Sequence, residues 1–364
     1  MTIEAVELRR VAMPLATPLR TAHGTFDRVE KLLVGVQTPD VVGWGELGTD
    51  QAGDRGREVL DAADALLRRD LVPDVLTGAP IGRPSPFPVA LAAHAAVEVA
   101  VLDAELRAAG RSLAEHLGAE RDRVDSGVVV GIAGSTPALL DEVSHRIGEG
   151  YRRVKLKIEP GWDHEPVAAA SEQHPDLALQ VDANGSYTRA DAEHLAGLDE
   201  FDLLMIEQPL PADDITGHVE LAEQLRTPIC LDETLTSFEV TKFALARGAC
   251  SVVNLKPSRV GGLGVARRIH DLCVERGVAL WCGGLLETGI GRAVNVALAA
   301  LPGFTLAGDL SASNRYWETE LTEPFVLDDD GRLAVPTGPG IGVEPLPDVL
   351  EAVTTSREIL SGTD

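Results

Sequence analysis

Five charged residues recur through the second half of the chain at almost constant spacing: Lys157, Asp182, Glu207, Asp232 and Lys256, at intervals of 25, 25, 25 and 24. Each interrupts the end of a short apolar run, in "RVKLKI", "LALQVDAN", "LLMIEQPL", "PICLDET" and "SVVNLKP". The interval is that of one strand plus one returning helix, so the five occupy equivalent positions on successive strands. In a closed parallel barrel they meet at one rim. A doubly wound open sheet is the alternative, and the absence of a GxGxxG after the first strand counts against it.

Three more runs, "GVVVGI" before the series and "ALWCGG" and "FTLAGDL" after it, bring the expected strands to eight over residues 126–324. Residues 1–125 have a different texture. "VELRRVAMPL" and "KLLVGVQT" alternate as a strand pair around a polar loop, "ATPLRTAHGTFDR". Helical patterns follow around 56–72 and 88–109, split by the Pro/Gly-rich "TGAPIGRPSPFP". The expectation is an α/β chain with an α+β domain over 1–125 and a (β/α) barrel over 126–324.

Side chains alternate along a strand, so Lys155 and Lys157 point to one face and Val154, Leu156 and Ile158 to the other. Two inward ammonium groups need negative partners. Asp182, Glu207 and Asp232 on the next three strands supply them, with Lys256 on the sixth strand facing from the opposite side. Three converging carboxylates without His or Cys make a hard oxygen site suited to Mg²⁺, with Mn²⁺ as a substitute. A divalent cation holding a substrate carboxylate would stabilise the enediolate formed when the adjacent carbon loses a proton. A lysine can be the base only if it is partly neutral, and Lys155 beside Lys157 disfavours a second positive charge there. Asn184 and Glu233 are placed to orient the acidic ligands. The glycines of "RVGGLG" and "WCGGLLETG", Gly284 among them, permit close backbone approach to an anion. His270 reads as an ordinary helix residue.

A formal charge of -25 argues against nucleic acid and anionic membrane surfaces as partners. Four cysteines without CxxC spacing fit a reduced, cytoplasmic protein. The charged N-terminal stretch "MTIEAVELRRVAMPL" is not expected to be a signal peptide, and no transmembrane segment is expected, since "PVALAAHAAVEVAVL" carries His94 and Glu98.

The stretches "KLKIEPGWD", "QVDAN", "IEQPL", "ICLDET", "NLKPSRVGG" and "WCGGLLETGIGRA" resemble the enolase superfamily, muconate-lactonizing-enzyme subgroup, in its branch of o-succinylbenzoate synthases and N-succinylamino acid racemases. The resemblance runs from "VELRRVAMPL" to "PTGPGIGV". It implies a modified TIM barrel, (β/α)7β, under an enolase-like α+β capping domain that the tail from about 325 to 364 completes. It further implies Lys157 as base, Lys155 as its neighbour that tunes it, Lys256 as the lysine of the opposite face, and Asp182, Glu207 and Asp232 as Mg²⁺ ligands. That a Lys base works with Mg²⁺ in such sites is a general property of the superfamily.

The implied reaction is Mg²⁺-dependent dehydration of a succinyl-bearing cyclohexadiene carboxylate to o-succinylbenzoate in menaquinone biosynthesis, a lyase activity. Racemisation of N-succinylamino acids is the alternative, alone or beside it. Arg259 in "KPSRVGG" matches the branch that contains the racemases. A His base at the seventh strand is missing from "WCGG", and the DxD of dipeptide epimerases is missing from "GDLS", which has only Asp309. After "VGWGEL" the chain reads "GTDQAGDRGREVLDAAD" in place of a Tyr/Ser/Glu-rich capping loop, which leaves substrate specificity open. The loop around Arg20 and His23 is the expected contact for a succinyl group. A homo-oligomer is the expected assembly. A non-catalytic barrel that binds a metal and an anion is the competing reading, and lysines on both faces oppose it.

Overall fold

A computed structural model describes residues 1–21, 24–49 and 51–362. The chain starts with a long antiparallel ribbon, β1 (Ala5–Thr21) and β2 (Gly24–Gln37), followed by β3 (Val42–Glu46). The segment expected as a polar loop is largely strand. Pairing resumes beyond a register shift between Pro14 and Leu19, with Leu19 opposite Phe26 and Thr21 opposite Gly24. The shift frees residues 15–18 from the ladder, as a bulge does. There Ala16 N donates to Tyr316 O at 2.9 Å, and Leu15 bridges Trp317. The ribbon is thereby bent onto the barrel mouth.

Helix Pro88–Ala108 lies on this sheet, and its first half is almost all small apolar residues. The glycines of "VGWGE" explain the close fit. A Cβ on Gly43 would stand 2.2 Å from Ala100 O, and one on Gly45 2.0 Å from Ala96 O. Val6, Leu8, Leu32, Val34, Leu60, Ala93 and Ala96 form the core beneath. The helix expected near 56–72 is Gly53–Leu66, run on through a wider turn over Leu67–Leu71.

After β4 (Arg123–Asp125) come seven parallel strands: β5 (Gly127–Val130), β6 (Arg153–Lys157), β7 (Ala178–Asp182), β8 (Ile206–Glu207), β9 (Ile229–Leu231), β10 (Val252–Leu255) and β11 (Ala279–Cys282). They are neighbours in chain order. The eighth run, "FTLAGDL", is not a regular strand but closes the ring. Asp309 N donates to Cys282 O at 3.0 Å on one side, and Gly127 N donates to Gly308 O at 2.7 Å on the other. A helix follows each of the seven strands, among them Thr136–Gly148, His164–Gln173, Phe238–Arg247 and Leu263–Arg276, and several begin at side-chain caps such as Ser135, Asp214, Ser237 and Thr288. This is the (β/α)7β barrel with a separate antiparallel cap.

The tail returns to both parts. β12 (Arg332–Ala334) pairs with β4, and β13 (Thr354–Ser361) pairs with β1, giving the cap sheet the order β13-β1-β2-β3. Buried Lys31 ties cap to rim, donating to Thr49 O at 2.7 Å and to Leu285 O, beyond β11, at 3.0 Å. Among the described residues no helix is long and apolar enough to cross a membrane. The four cysteines are buried and unpaired. His270 is buried against Phe304, ring centroids 5.7 Å apart, as expected of a helix residue.

Candidate active site

Register explains how the repeated spacing becomes a site. Lys157 pairs with Asp182 and Asp182 with Glu207 across neighbouring strands. Glu207 then pairs with Cys230, so Asp232 sits two residues further along, a stagger of the kind that closing a barrel requires. Lys256 follows β10 directly. Strands two and six of an eight-membered ring are half a turn apart, so Lys157 and Lys256 face each other across the acids.

The inner face of β6 carries Arg153, Lys155 and Lys157, rising from the barrel floor to its mouth. At the floor Trp281 lies under Lys155 Nζ at 4.9 Å and under the Arg153 guanidinium at 5.3 Å. Lys155, 3% exposed, contacts Asp309 Oδ2 at 2.6 Å, Glu207 Oε2 at 2.8 Å and Asp182 Oδ2 at 3.1 Å. Burial pushes this ammonium down, but the three carboxylates outweigh it and hold its pKa well above the usual lysine value. Lys155 is therefore a fixed cation. Lys157 reaches the cavity, its side chain 29% exposed, and donates to Asp182 Oδ2 at 2.7 Å and Asn184 Oδ1 at 2.5 Å.

Across the mouth Lys256 Nζ donates to Asp232 Oδ2 at 2.6 Å, while Arg259 Nε stands 3.1 Å from Asp232 Oδ1. Burial lowers the Lys256 pKa and Asp232 more than restores it, leaving it raised. Gly283 makes room for this lysine, since a Cβ there would lie 2.4 Å from Lys256 Cε. Gly284 has a similar constraint, 2.7 Å from Asp309 O.

Lys155, Lys157, Asp182, Asn184, Asp232, Glu233, Lys256 and Gly284 all line one cavity of about 950 Å³, roofed by Leu15, Thr17, Pro18 and Thr25 of the cap. Glu207 lies beneath, fully buried, and Arg259 acts through Asp232. Asn184 connects the two acid-bearing strand ends, accepting from Lys157 and donating from Nδ2 to Glu233 Oε1 at 2.9 Å. Its φ of 44° is held by its own N–H donating to Asp182 Oδ1 at 3.0 Å. The Arg20 side chain and His23 lie outside the described residues.

The acids fit a divalent cation. Burial first, and then the charge of Asp182, push Glu207 up to about 8, so a cation bound beside it would favour its ionised form. Asp182 itself is raised by burial but brought well below the usual carboxylate range by Lys155 and Lys157. Asp232 Oδ1 is buried and accepts no hydrogen bond among the described residues, with Arg259 as its ionic neighbour. The three carboxylates turn towards lysines here. Among the described residues, the group whose ligand atoms all lie within 4.8 Å is instead Asp163, His164 and His194. That group is satisfied internally: Asp163 accepts from His164 N at 2.7 Å and Tyr187 Oη at 2.8 Å, and contacts His194 Nε2 at 2.7 Å.

Residues 3–118 match the mandelate racemase / muconate lactonizing enzyme N-terminal domain, and residues 138–349 the enolase C-terminal domain-like family. The chain belongs to the enolase superfamily. It is 51% identical to an N-succinylamino acid racemase of Amycolatopsis sp, over 98% of this chain and 99% of that one. It is 43% identical to an o-succinylbenzoate synthase of Geobacillus kaustophilus, over 94% of each. A solved enolase-superfamily protein from Listeria innocua superposes with a TM-score of 0.91 at 37% identity, covering 99% of both chains.

Within this enolase-superfamily architecture, several supporting residues escaped the sequence reading. Asp309 was noted only for the missing DxD, yet it holds Lys155 and takes Arg153 Nη1 at 2.5 Å. Gln208 accepts from Asp232 N at 3.0 Å and Thr234 N at 3.2 Å, fixing the end of β9, and Asn254 Nδ2 donates to Glu207 Oε1 at 2.7 Å. The available signal was alternation: Arg153 precedes Lys155 by two, and Asn254 precedes Lys256 by two.

Proposed function

We propose that the protein is an o-succinylbenzoate synthase, a Mg²⁺-dependent dehydratase of a succinyl-bearing cyclohexadiene carboxylate acting in menaquinone biosynthesis. The observation that carries this reading is the pair of inward lysines, Lys157 and Lys256, facing each other across Asp182, Glu207 and Asp232. The 43% identity to a synthase over 94% of both chains supports it. Asp182, Glu207 and Asp232 would hold the Mg²⁺, which when bound supplies charge that favours loss of a proton beside the substrate carboxylate. Lys157 takes that proton at Nζ, the rim lysine with the more open path to the cavity. It then returns it to the departing hydroxyl on the same face. Lys155 keeps its charge beneath, and Lys256 provides a cation on the far face. The cap roofs the cavity in which this takes place. The unpaired thiols fit a reducing, cytoplasmic setting.

Racemisation of N-succinylamino acids is the second reading, favoured by the 51% identity to such a racemase and by Lys256 standing where a proton would be returned to the opposite face. The deciding experiment assays both reactions on purified protein, before and after chelation and Mg²⁺ add-back. Dehydration that vanishes on chelation and returns with metal supports the proposal. Full turnover in stripped protein, or efficient racemisation without dehydration, rejects it.

A further inference from the structure

A substrate with a succinyl arm is a dicarboxylate, and its far carboxylate enters a cavity roofed by the cap. Such a group needs a cationic partner to replace lost water. The three lysines are engaged by the acid set. Three arginines also line the cavity: Arg146, Arg292 and Arg315. Arg146 is saturated, with Nε on Glu142 Oε1 at 2.9 Å and Nη1 on Glu149 Oε2 at 2.6 Å. Arg292 is 3% exposed and donates to Ser311 O at 2.7 Å.

Arg315 differs. Its Nη2 donates to Val129 O at 3.2 Å, and its nearest carboxylate, Glu142 Oε1, stands 3.8 Å away and already accepts from Arg146. Its Nε is buried and has no hydrogen-bond partner among the described residues. It belongs to the turn Ser313–Arg315 after the closing run, beside β5. Asp182, Glu207 and Asp232 belong to strands three to five, whereas Arg315 lies where strands eight and one meet. The two sets therefore stand on opposite sides of the mouth, with Lys157 and Lys256 flanking the line between them.

We propose that Arg315 determines substrate specificity by binding the distal carboxylate of a succinyl-bearing substrate, whose other carboxylate sits at the acid set. This rests on the succinyl reading above. The test compares binding of o-succinylbenzoate with that of its monoamide, in which the distal carboxylate is a carboxamide, by calorimetry on Mg²⁺-loaded protein. Wild type should prefer the diacid by about 10- to 100-fold. Arg315→Gln should reduce the preference to about 3-fold or less, while Arg315→Lys should keep part of it. Because the preference is a ratio within one variant, partial loss of folding does not imitate the result.

Absence of a preference in wild type, or an undiminished one in Arg315→Gln, overturns the assignment. Turnover separates this from the reading it rests on. An Arg315-dependent preference in a protein that performs neither reaction would leave the assignment standing and reject the proposed function. Normal dehydration with a preference indifferent to Arg315 would do the reverse. Failure of wild type to bind either ligand overturns both.

Discussion

Without metal, the protein should lose stability as pH rises from mildly acidic to mildly alkaline, and Glu207 should be the cause. Its carboxyl releases a proton near 4.5 in an ordinary setting and at about 8 in the folded protein, because burial and then Asp182 oppose its charge. Between those values the folded form binds one proton more than the unfolded form. Stability from this group is thus fully present below 4.5 and is lost as pH rises through 8, at about 1.4 kcal/mol per pH unit. From about pH 5.5 to 8 the loss amounts to about 3 kcal/mol. The acids that lysines hold low, Asp182 and Asp309, are ionised in both states throughout this window and add no slope. The assay is urea unfolding in chelator across that range, for wild type and Glu207→Gln, reading the difference between the two. Wild type should lose about 3 kcal/mol relative to Glu207→Gln towards high pH, and Mg²⁺ should stabilise wild type more at the alkaline end, where proton competition for the ligand is weaker. Parallel pH profiles in the two proteins would refute the argument.

Lys157→Ala should lose on the order of 10²-fold or more in turnover while staying folded, as measured by steady-state kinetics with circular dichroism. Near-normal dehydration would remove Lys157 from its role. Lys256→Arg keeps a cation but gives up proton exchange, so it should retain measurable dehydration while losing racemisation, both assayed on one preparation. Equal loss of both would deny the lysines separate roles. Gly283→Ala sets a methyl group against Lys256 Cε and Asn254 Oδ1, each at 2.4 Å before any shift, and should cut turnover about 10- to 100-fold in steady-state kinetics.

The sequence disclosed the rim better than what supports it, for a physical reason. A barrel repeats its strand-and-helix unit, so residues at one height recur at one interval, and alternation tells which face each takes. Lys157, Asp182 and Glu207 were legible because the register that unites them is that same repeat. Asp309 was not, because its bonds to Arg153 and Lys155 span the seam where the ring closes, and closure leaves no local pattern. The segment after Leu15 is strand where its composition suggests a loop, for a related reason. Its composition is that of a turn, and the contacts that draw it out, Leu15 with Trp317 and Ala16 with Tyr316, lie some 300 residues away in sequence. Arg315 carries no pattern either.

The distribution of charge explains why two lysines on one strand need not share one task. With every group ionised, the rim and floor hold five cations, Lys155, Lys157, Lys256, Arg153 and Arg259, against five carboxylates, Asp182, Glu207, Asp232, Glu233 and Asp309. The charges balance, and a divalent cation would leave two positive charges in surplus. A dicarboxylate substrate would return it to zero, which favours dianions at the loaded site before any shape is considered. The reaction then needs one site ammonium that can pass its proton on. Lys155 is poorly placed to do so, enclosed by three carboxylates and the Trp281 ring. Lys157, with one carboxylate, one amide and an open side to the cavity, can give and take a proton at little structural cost. On the proposed reading the buried lysine fixes the charge of the site, and the more exposed one moves the proton.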